Sequence, residues 1–199
     1  MLMVSKEEIK QAAFELFAEK GYECTSTQDI ADAVGLKKQS LYSHFKSKSD
    51  IFVEVLQDQS AIILTELVDS FEADQDDAAE FFLKSVFDSL IRTFSVRKRL
   101  LFLKRTILLY ANRNRYSFAE EFIRQFNATL QDSLHEILSR RYGLFKDPQR
   151  FILFYTYFML HVSGCLEIIL TDKADESFLQ VVWSKLWAAS EAFFAPELS

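Results

Sequence analysis

The sequence predicts an all-α chain of nine helices, short ones up to about residue 46 and long ones after it. Three observations carry this. Only four glycines and two prolines occur in 199 residues, too few for the turns of a sheet protein or for a glycine-rich phosphate loop. Apolar side chains recur at three- and four-residue spacing along most of the chain. A composition of 49% hydrophobic and 26% charged residues supplies a core and excludes wholesale disorder.

The elements follow in order. Ile9, Ala12, Ala13, Leu16 and Phe17 make one face of a helix over residues 5–20, closed by Gly21. Thr25, Ser26 and Thr27 offer capping hydroxyls to a short helix carrying Ile30, Ala31 and Val34, which Gly35 stops. A third helix, near 38–45, sets Leu41 and Phe45 on one side. A fourth starts near Ser47–Asp50 and runs past Leu67. The acidic stretch Glu72–Asp77 reads as a loop and a helix start. Helices then follow over 81–94, 100–110 and 116–142, the last ending in Arg140 and Arg141 before Gly143. Asp147 and Pro148 form an N-cap with proline at the first helical position, opening an apolar helix over 148–171. A last helix runs from about Asp175 and stops before Pro196. The division into 1–46 and 47–199 falls where the helices lengthen.

Charge is segregated within a net −6. Residues 37–48 hold Lys37, Lys38, Lys46 and Lys48 with no carboxylate, whereas 50–88 hold eleven acids against Lys84 alone. Residues 89–115 then carry eight Arg and Lys with no acid. Local fields of this kind attract a polyanion even when the total charge is negative. From Phe151 to Leu166 no charged side chain occurs. That run is short of the roughly 20 residues a bilayer requires, so a helix buried on nearly all sides by protein, with no membrane partner, is expected. Cys24 and Cys165 form neither a disulfide framework nor a metal site. The N-terminus lacks a signal pattern, and a reduced, cytoplasmic setting is expected.

Two short helices joined by Val34-Gly35-Leu36-Lys37 and flanked by a third make a helix-turn-helix, whose second helix enters the major groove of DNA. Ile30, Ala31, Val34, Leu36, Leu41 and Phe45 would pack its core. Lys38, Gln39, Ser40, Ser43 and His44 would then point outward.

The run Ile9-x-x-Ala12-Ala13-x-x-Leu16-Phe17, Gly21-Tyr22, Thr25-x-Thr27-x-x-Ile30-Ala31, Gly35-Leu36, Leu41-Tyr42-x-x-Phe45-x-x-Lys48-x-x-Ile51 resembles the DNA-binding signature of the TetR family of transcriptional repressors. The resemblance covers about residues 9–52 and implies a fold with a helix-turn-helix head and a helical ligand-binding and dimerisation half. It implies phosphate contacts for Ser26, Thr27, Tyr42, His44 and Lys48. Lys37, Lys38, Gln39 and Ser40 fall at positions that meet base edges. The residue chemistry agrees: hydroxyls and helix N-termini suit phosphate, lysine suits guanine, and glutamine suits adenine. Members of the family often carry serine where Lys37 stands and a small residue where Gln39 stands, so base preference is not readable by analogy.

One head makes too few contacts for tight specific binding, so a homodimer on a double-stranded, palindromic operator is expected. Ser163 and Gly164, beside Cys165, permit close helix approach. Phe178, Val182, Leu186, Ala189 and Phe193 repeat at helical spacing beside Trp183 and Trp187, so the last two helices are the expected dimer surface. Sixteen of the 20 phenylalanines lie after residue 52. Phe102, Tyr110, Phe122, Phe154, Tyr157, Phe158, His161 and Cys165 are candidates to line a cavity for an apolar or aromatic small molecule. Ligand binding there would shift the fourth helix as a lever and release the DNA. The cluster Arg97-Lys98-Arg99 is expected beside the head, adding positive potential on its DNA side.

Enzyme chemistry finds no footing. Asp132-x-x-His135 occurs once where a di-iron site needs paired motifs, no nucleophile elbow or zinc-protease helix appears, and three scattered histidines make no metal site. No cofactor is implied. The rival reading is a helical carrier of an apolar ligand whose head docks a protein; salt-dependent retardation of duplex DNA separates the two.

Overall fold

In the computed structural model, residues 4–72, 78–110, 117–171 and 175–194 are described, with the backbone alone for 67–72, 108–110, 117–119 and 121–122. Nine helices and no strand occur among them: α1 (Lys6–Lys20), α2 (Thr27–Ala33), α3 (Lys38–Leu41), α4 (Lys48–Glu72), α5 (Ala79–Phe94), α6 (Arg97–Tyr110), α7 (Ser117–Tyr142), α8 (Pro148–Leu170) and α9 (Glu176–Phe194). The chain divides into two units, residues 1–62 with 96–126, and residues 63–95 with 127–199. Part of the stretch Glu72–Asp77 lies outside the described residues.

In the first unit, two capping boxes fix the helix starts. Ser5 accepts from the Glu8 amide and Glu8 accepts from that of Ser5; Ser26 and Asp29 repeat the pattern at α2. Each box satisfies N–H groups that a helix start would otherwise leave open. The carboxyls of Glu8 and Asp29 lie below the ordinary carboxylate range because the serine groups hydrogen-bond the charged form. Ile9, Ala13, Phe17, Ile30, Ala31, Leu41, Phe45, Ile51 and Phe52 close into one core, with Val34 and Leu36 half-buried against it. The turn between α2 and α3 depends on Gly35, whose φ of +68° a side chain would strain.

Phe102 of α6 belongs to this same core. Its ring centroid lies 5.5 Å from those of both Phe14 and Phe52. The expectation that Phe102 lines a ligand cavity is corrected: the residue fastens α6 to α1 and α4.

In the second unit α8 packs against α5 and α9. Phe151, Phe154, Phe158, Val162, Cys165 and Leu166 make its buried face. Phe87 meets Trp183 at 5.5 Å and Phe158 at 6.4 Å. Phe145, in the left-handed region at φ 60°, is locked by Phe151, Phe154 and Phe194, and its carbonyl accepts from His135 Nε2 at 3.2 Å. That packing holds a backbone conformation that a bulky side chain rarely adopts. Asp147 caps α8 through the Gln149 amide, with Pro148 at the first position.

The expectation of an α8 buried on nearly all sides is also corrected. The helix is 23 residues long and apolar enough, by length and composition, to cross a membrane, yet the described residues cover only one of its faces. Leu153 (62% exposed), Thr156, Leu160 (65%), Ser163 and Glu167 form an open stripe at three- and four-residue spacing. Absence of charge along a segment cannot distinguish a helix covered by its own chain from one left to be covered by something else.

Candidate nucleic-acid interface

The α2–α3 pair rests on Ile30, Ala31, Leu41 and Phe45, all buried. Small Ala31 lets the chain turn back tightly, and the Leu36 amide donates to its carbonyl at 2.8 Å. With those four side chains inside, Lys37, Lys38, Gln39, Ser40, Ser43 and His44 are all exposed, and Tyr42 is 48% exposed. No carboxylate occurs between residues 33 and 49. Among the described residues, this is a continuous polar and cationic face on a scaffold fixed from behind.

Helix α3 is shorter than its expected span of 38–45. Regular α-geometry ends at Leu41, and the chain continues to Phe45 in a looser turn, where the His44 and Phe45 amides both donate to Leu41 O at 3.0 and 3.1 Å. Lys37 occupies the N-cap with no side-chain hydrogen bond, so its ammonium is not spent on the helix it precedes. Ser43 Oγ donates to Ser40 O at 2.7 Å, which leaves its oxygen free as an acceptor.

Two residues expected at phosphates are committed to the protein instead. Lys48 Nζ donates to Tyr22 O at 2.7 Å and Thr25 O at 2.9 Å, and stands 4.1 Å from the Tyr22 ring centroid. Burial pushes this ammonium below the ordinary lysine range. Ser26 Oγ donates to Asp29 Oδ2 at 2.6 Å and accepts from the Asp29 amide, so its hydroxyl is closed within the capping box. Both groups hold the start of α2, Ser26 while still exposed. Thr27, next along, is half-buried with its hydroxyl in no such box.

The 97–99 cluster does lie beside the head. Lys98 pairs with Glu15 at 3.0 Å, and Arg99 Nε donates to Gln59 Oε1 at 3.4 Å. Gln59 stands eleven residues along α4 from Lys48, about 16 Å at 1.5 Å per residue. Lys98 and Arg99 are thus turned onto α1 and α4, not toward the α2–α3 face as expected. The sequence reading also missed the ion pairs of Lys6 with Glu54 and of Lys10 with Asp58, which join α1 to α4, and the Lys10–Glu7 pair within α1. It missed the Ser5 box as well, although Ser-x-x-Glu before an apolar run is its signature.

In the second unit the expected cavity and dimer residues separate into three groups. Phe154 and Phe158 are core, and so are Trp183, packed on Phe87 of α5, and Leu186, both expected at a dimer surface but buried within the chain. Their spacing marked an apolar face without saying which neighbour buries it. Ser163 and Gly164 are exposed. His161, Gly164, Cys165, Phe178 and Val182 meet Leu160 and Ile168 around an open crevice of about 260 Å³. His161 Nδ1 donates to Tyr157 O at 2.9 Å, and burial raises the Cys165 thiol's pKa. The Tyr157 and half-buried Phe193 rings meet at a tilt, their centroids 5.8 Å apart. Tyr110 and Phe122 lie outside the described side chains.

Residues 9–55 match the profile of the bacterial regulatory proteins of the tetR family. Over 53 residues the chain is 45% identical to the HTH-type transcriptional repressor KstR2 of Mycolicibacterium smegmatis, an alignment covering 27% of this chain and 26% of that protein. Over 47 residues it is 51% identical to the biofilm operon icaADBC HTH-type negative transcriptional regulator IcaR of Staphylococcus aureus, covering 24% and 25%. The chain thus spans about a quarter of the length of these curated relatives. A TetR-like transcriptional regulator from Rhodococcus sp. RHA1 superimposes with a TM-score of 0.73 at 16% identity, over 96% of this chain and 98% of that one, a likeness of fold. Residues 9–55 therefore carry the sequence pattern of the tetR family of bacterial regulatory proteins, and the described chain shares the fold of a TetR-like regulator.

Proposed function

We propose that this protein is a cytoplasmic, homodimeric repressor that binds a palindromic DNA operator through its N-terminal head and is released by an apolar or aromatic small molecule. In this reading residues 1–46 are the DNA-binding domain and 47–199 the ligand-binding and dimerisation domain. The observation that carries it is the exposed run Lys37–Ser40 with Ser43 and His44, free of carboxylates and backed by a buried core. Lys37, Lys38 and Gln39 reach base edges, while Thr27, Tyr42 and His44 take phosphates. The repressor relatives over the matching quarter support the same reading.

The second copy covers the open stripe of α8. Leu153, Leu160 and Val181 are each more than half exposed, and Ser163, Gly164 and Ala188 beside them are small enough for close helix approach. A small aromatic guest suits the crevice, whose volume is below the usual 300–1,000 Å³ of drug-sized sites. Leu160 and Gly164 border both the crevice and the stripe, so a guest there alters the pairing that spaces the two heads.

Fluorescence anisotropy of a labelled duplex, titrated at several salt concentrations, tests the proposal. The reading predicts an affinity that falls steeply with salt, and a slope reduced when Lys37 or Lys38, the cations of this face, is replaced by a neutral residue. Salt-independent or absent binding would leave the carrier reading in its place.

A further inference from the structure

The turn that delivers the chain to α2 is held from two sides by cations. Between the end of α1 and the start of α2, the carbonyls of Glu19, Gly21, Tyr22 and Thr25 all accept side-chain hydrogen bonds. Thr25 Oγ1 serves Gly21 O at 2.8 Å, and Lys48 serves Tyr22 O and Thr25 O. The fourth carbonyl is reached from 86 residues away: Arg105 Nη2, on α6, donates to Glu19 O at 2.8 Å. The same guanidinium lies over Gly21, where an added Cβ would stand 3.2 Å from Nη1 at a φ of +81°. Glycine is thus favoured there by conformation, and any side chain would also press on the arginine. The last carbonyls of a helix form the negative end of its dipole, so a cation suits this place.

We infer that Arg105 is a positioning residue for DNA binding: from α6 it caps α1 and fixes the 21–25 turn, and so sets where Ser26 and Thr27 begin α2. Arg105 touches no DNA in this account. Its Nε is buried and makes no hydrogen bond among the described residues, so the guanidinium is held by its terminal nitrogens and by packing. This inference rests on the DNA-binding reading of the head.

The test uses the full chain, a duplex selected from a random pool by the wild-type protein, and amide resonances of Cys24–Thr27. Arg105→Met should bind that duplex about tenfold more weakly, as one lost hydrogen bond from a charged donor implies, with an unchanged salt slope and displaced Cys24–Thr27 amides. Arg105→Lys, which keeps a cation within reach of Glu19 O, should recover affinity to within about threefold, on the smaller loss expected when one charged donor replaces another. Arg105→Met binding within twofold of wild type, with those amides unmoved, overturns the inference. Should Arg105→Met fail to fold, Arg105→Gln, whose shorter neutral side chain carries no charge to Glu19 O, decides by the same amides: displaced supports the inference, unmoved overturns it. A wild-type chain that selects no duplex defeats the DNA reading instead, and the amide comparison still judges the positioning role.

Discussion

Replacing Lys48 with methionine distinguishes a structural lysine from a phosphate ligand. In the folded head the ammonium makes two hydrogen bonds, of 2.7 and 2.9 Å, to the carbonyls of Tyr22 and Thr25, and sits 4.1 Å from an aromatic ring centroid. A hydrogen bond from a charged donor contributes about 1.5–3 kcal/mol and a cation over an exposed ring about 0.5–1 kcal/mol. Against these stands the cost of partly burying the ammonium, the same desolvation that lowers its pKa. A net loss of about 2 kcal/mol remains, and for a chain of this size each kcal/mol moves the melting temperature by about 2–4 °C. Lys48→Met should therefore melt about 4–8 °C lower, followed by circular dichroism. Its DNA salt slope should stay at the wild-type value, because no phosphate contact is lost. The contrary pattern, an unchanged melting temperature with a slope reduced by about one, would refute the assignment and return Lys48 to the phosphates.

Acid should loosen both capping boxes. The folded-state carboxyls of Glu8 and Asp29 lie below their unfolded values, so their stabilisation is complete above the ordinary carboxylate pKa and is lost as pH falls through the lower, folded one. Melting curves taken between neutral and strongly acid pH should show this loss, and Asp29→Asn should make it smaller; an identical acid profile for that variant would contradict the assignment. On α8 and α9, two substitutions should part company. Leu160→Glu, on the exposed stripe, should shift the protein to monomer by analytical ultracentrifugation while preserving its helical circular dichroism. Trp183→Ala, at a side chain packed on Phe87, should cost about 3–5 kcal/mol of stability as a large buried deletion. A dimer indifferent to Leu160→Glu would move the interface elsewhere.

The head was legible because its pattern is local. Ile30, Ala31, Leu41 and Phe45 sit a few residues apart, and Gly35 marks a turn that only one conformation satisfies. What escaped the sequence was non-local. Nothing at position 105 announces that its guanidinium will cap a helix 86 residues earlier, and nothing at Lys48 reveals that backbone carbonyls will claim its charge before a phosphate can. Phe102 and Trp183 were equally opaque, since apolar spacing shows that a face will be buried but not which neighbour buries it. The α8 helix makes the same point in reverse, with one face closed by Phe154 and Phe158 and the other, at Leu153 and Leu160, left open.

The central claim is that the face from Lys37 to His44 enters a duplex groove while a two-fold partner fixes where its twin enters. Selection of binding sites from a random duplex pool by the wild-type chain, followed by sequencing, tests both halves together. The account predicts enrichment of an inverted repeat whose half-site centres lie about one helical turn, or a multiple of it, apart. It further predicts that Gln39→Ala relaxes preference at one position of each half-site, a discrimination of about 1–3 kcal/mol. A pool that emerges without enrichment, or an enriched site with a single unrepeated element, would contradict it.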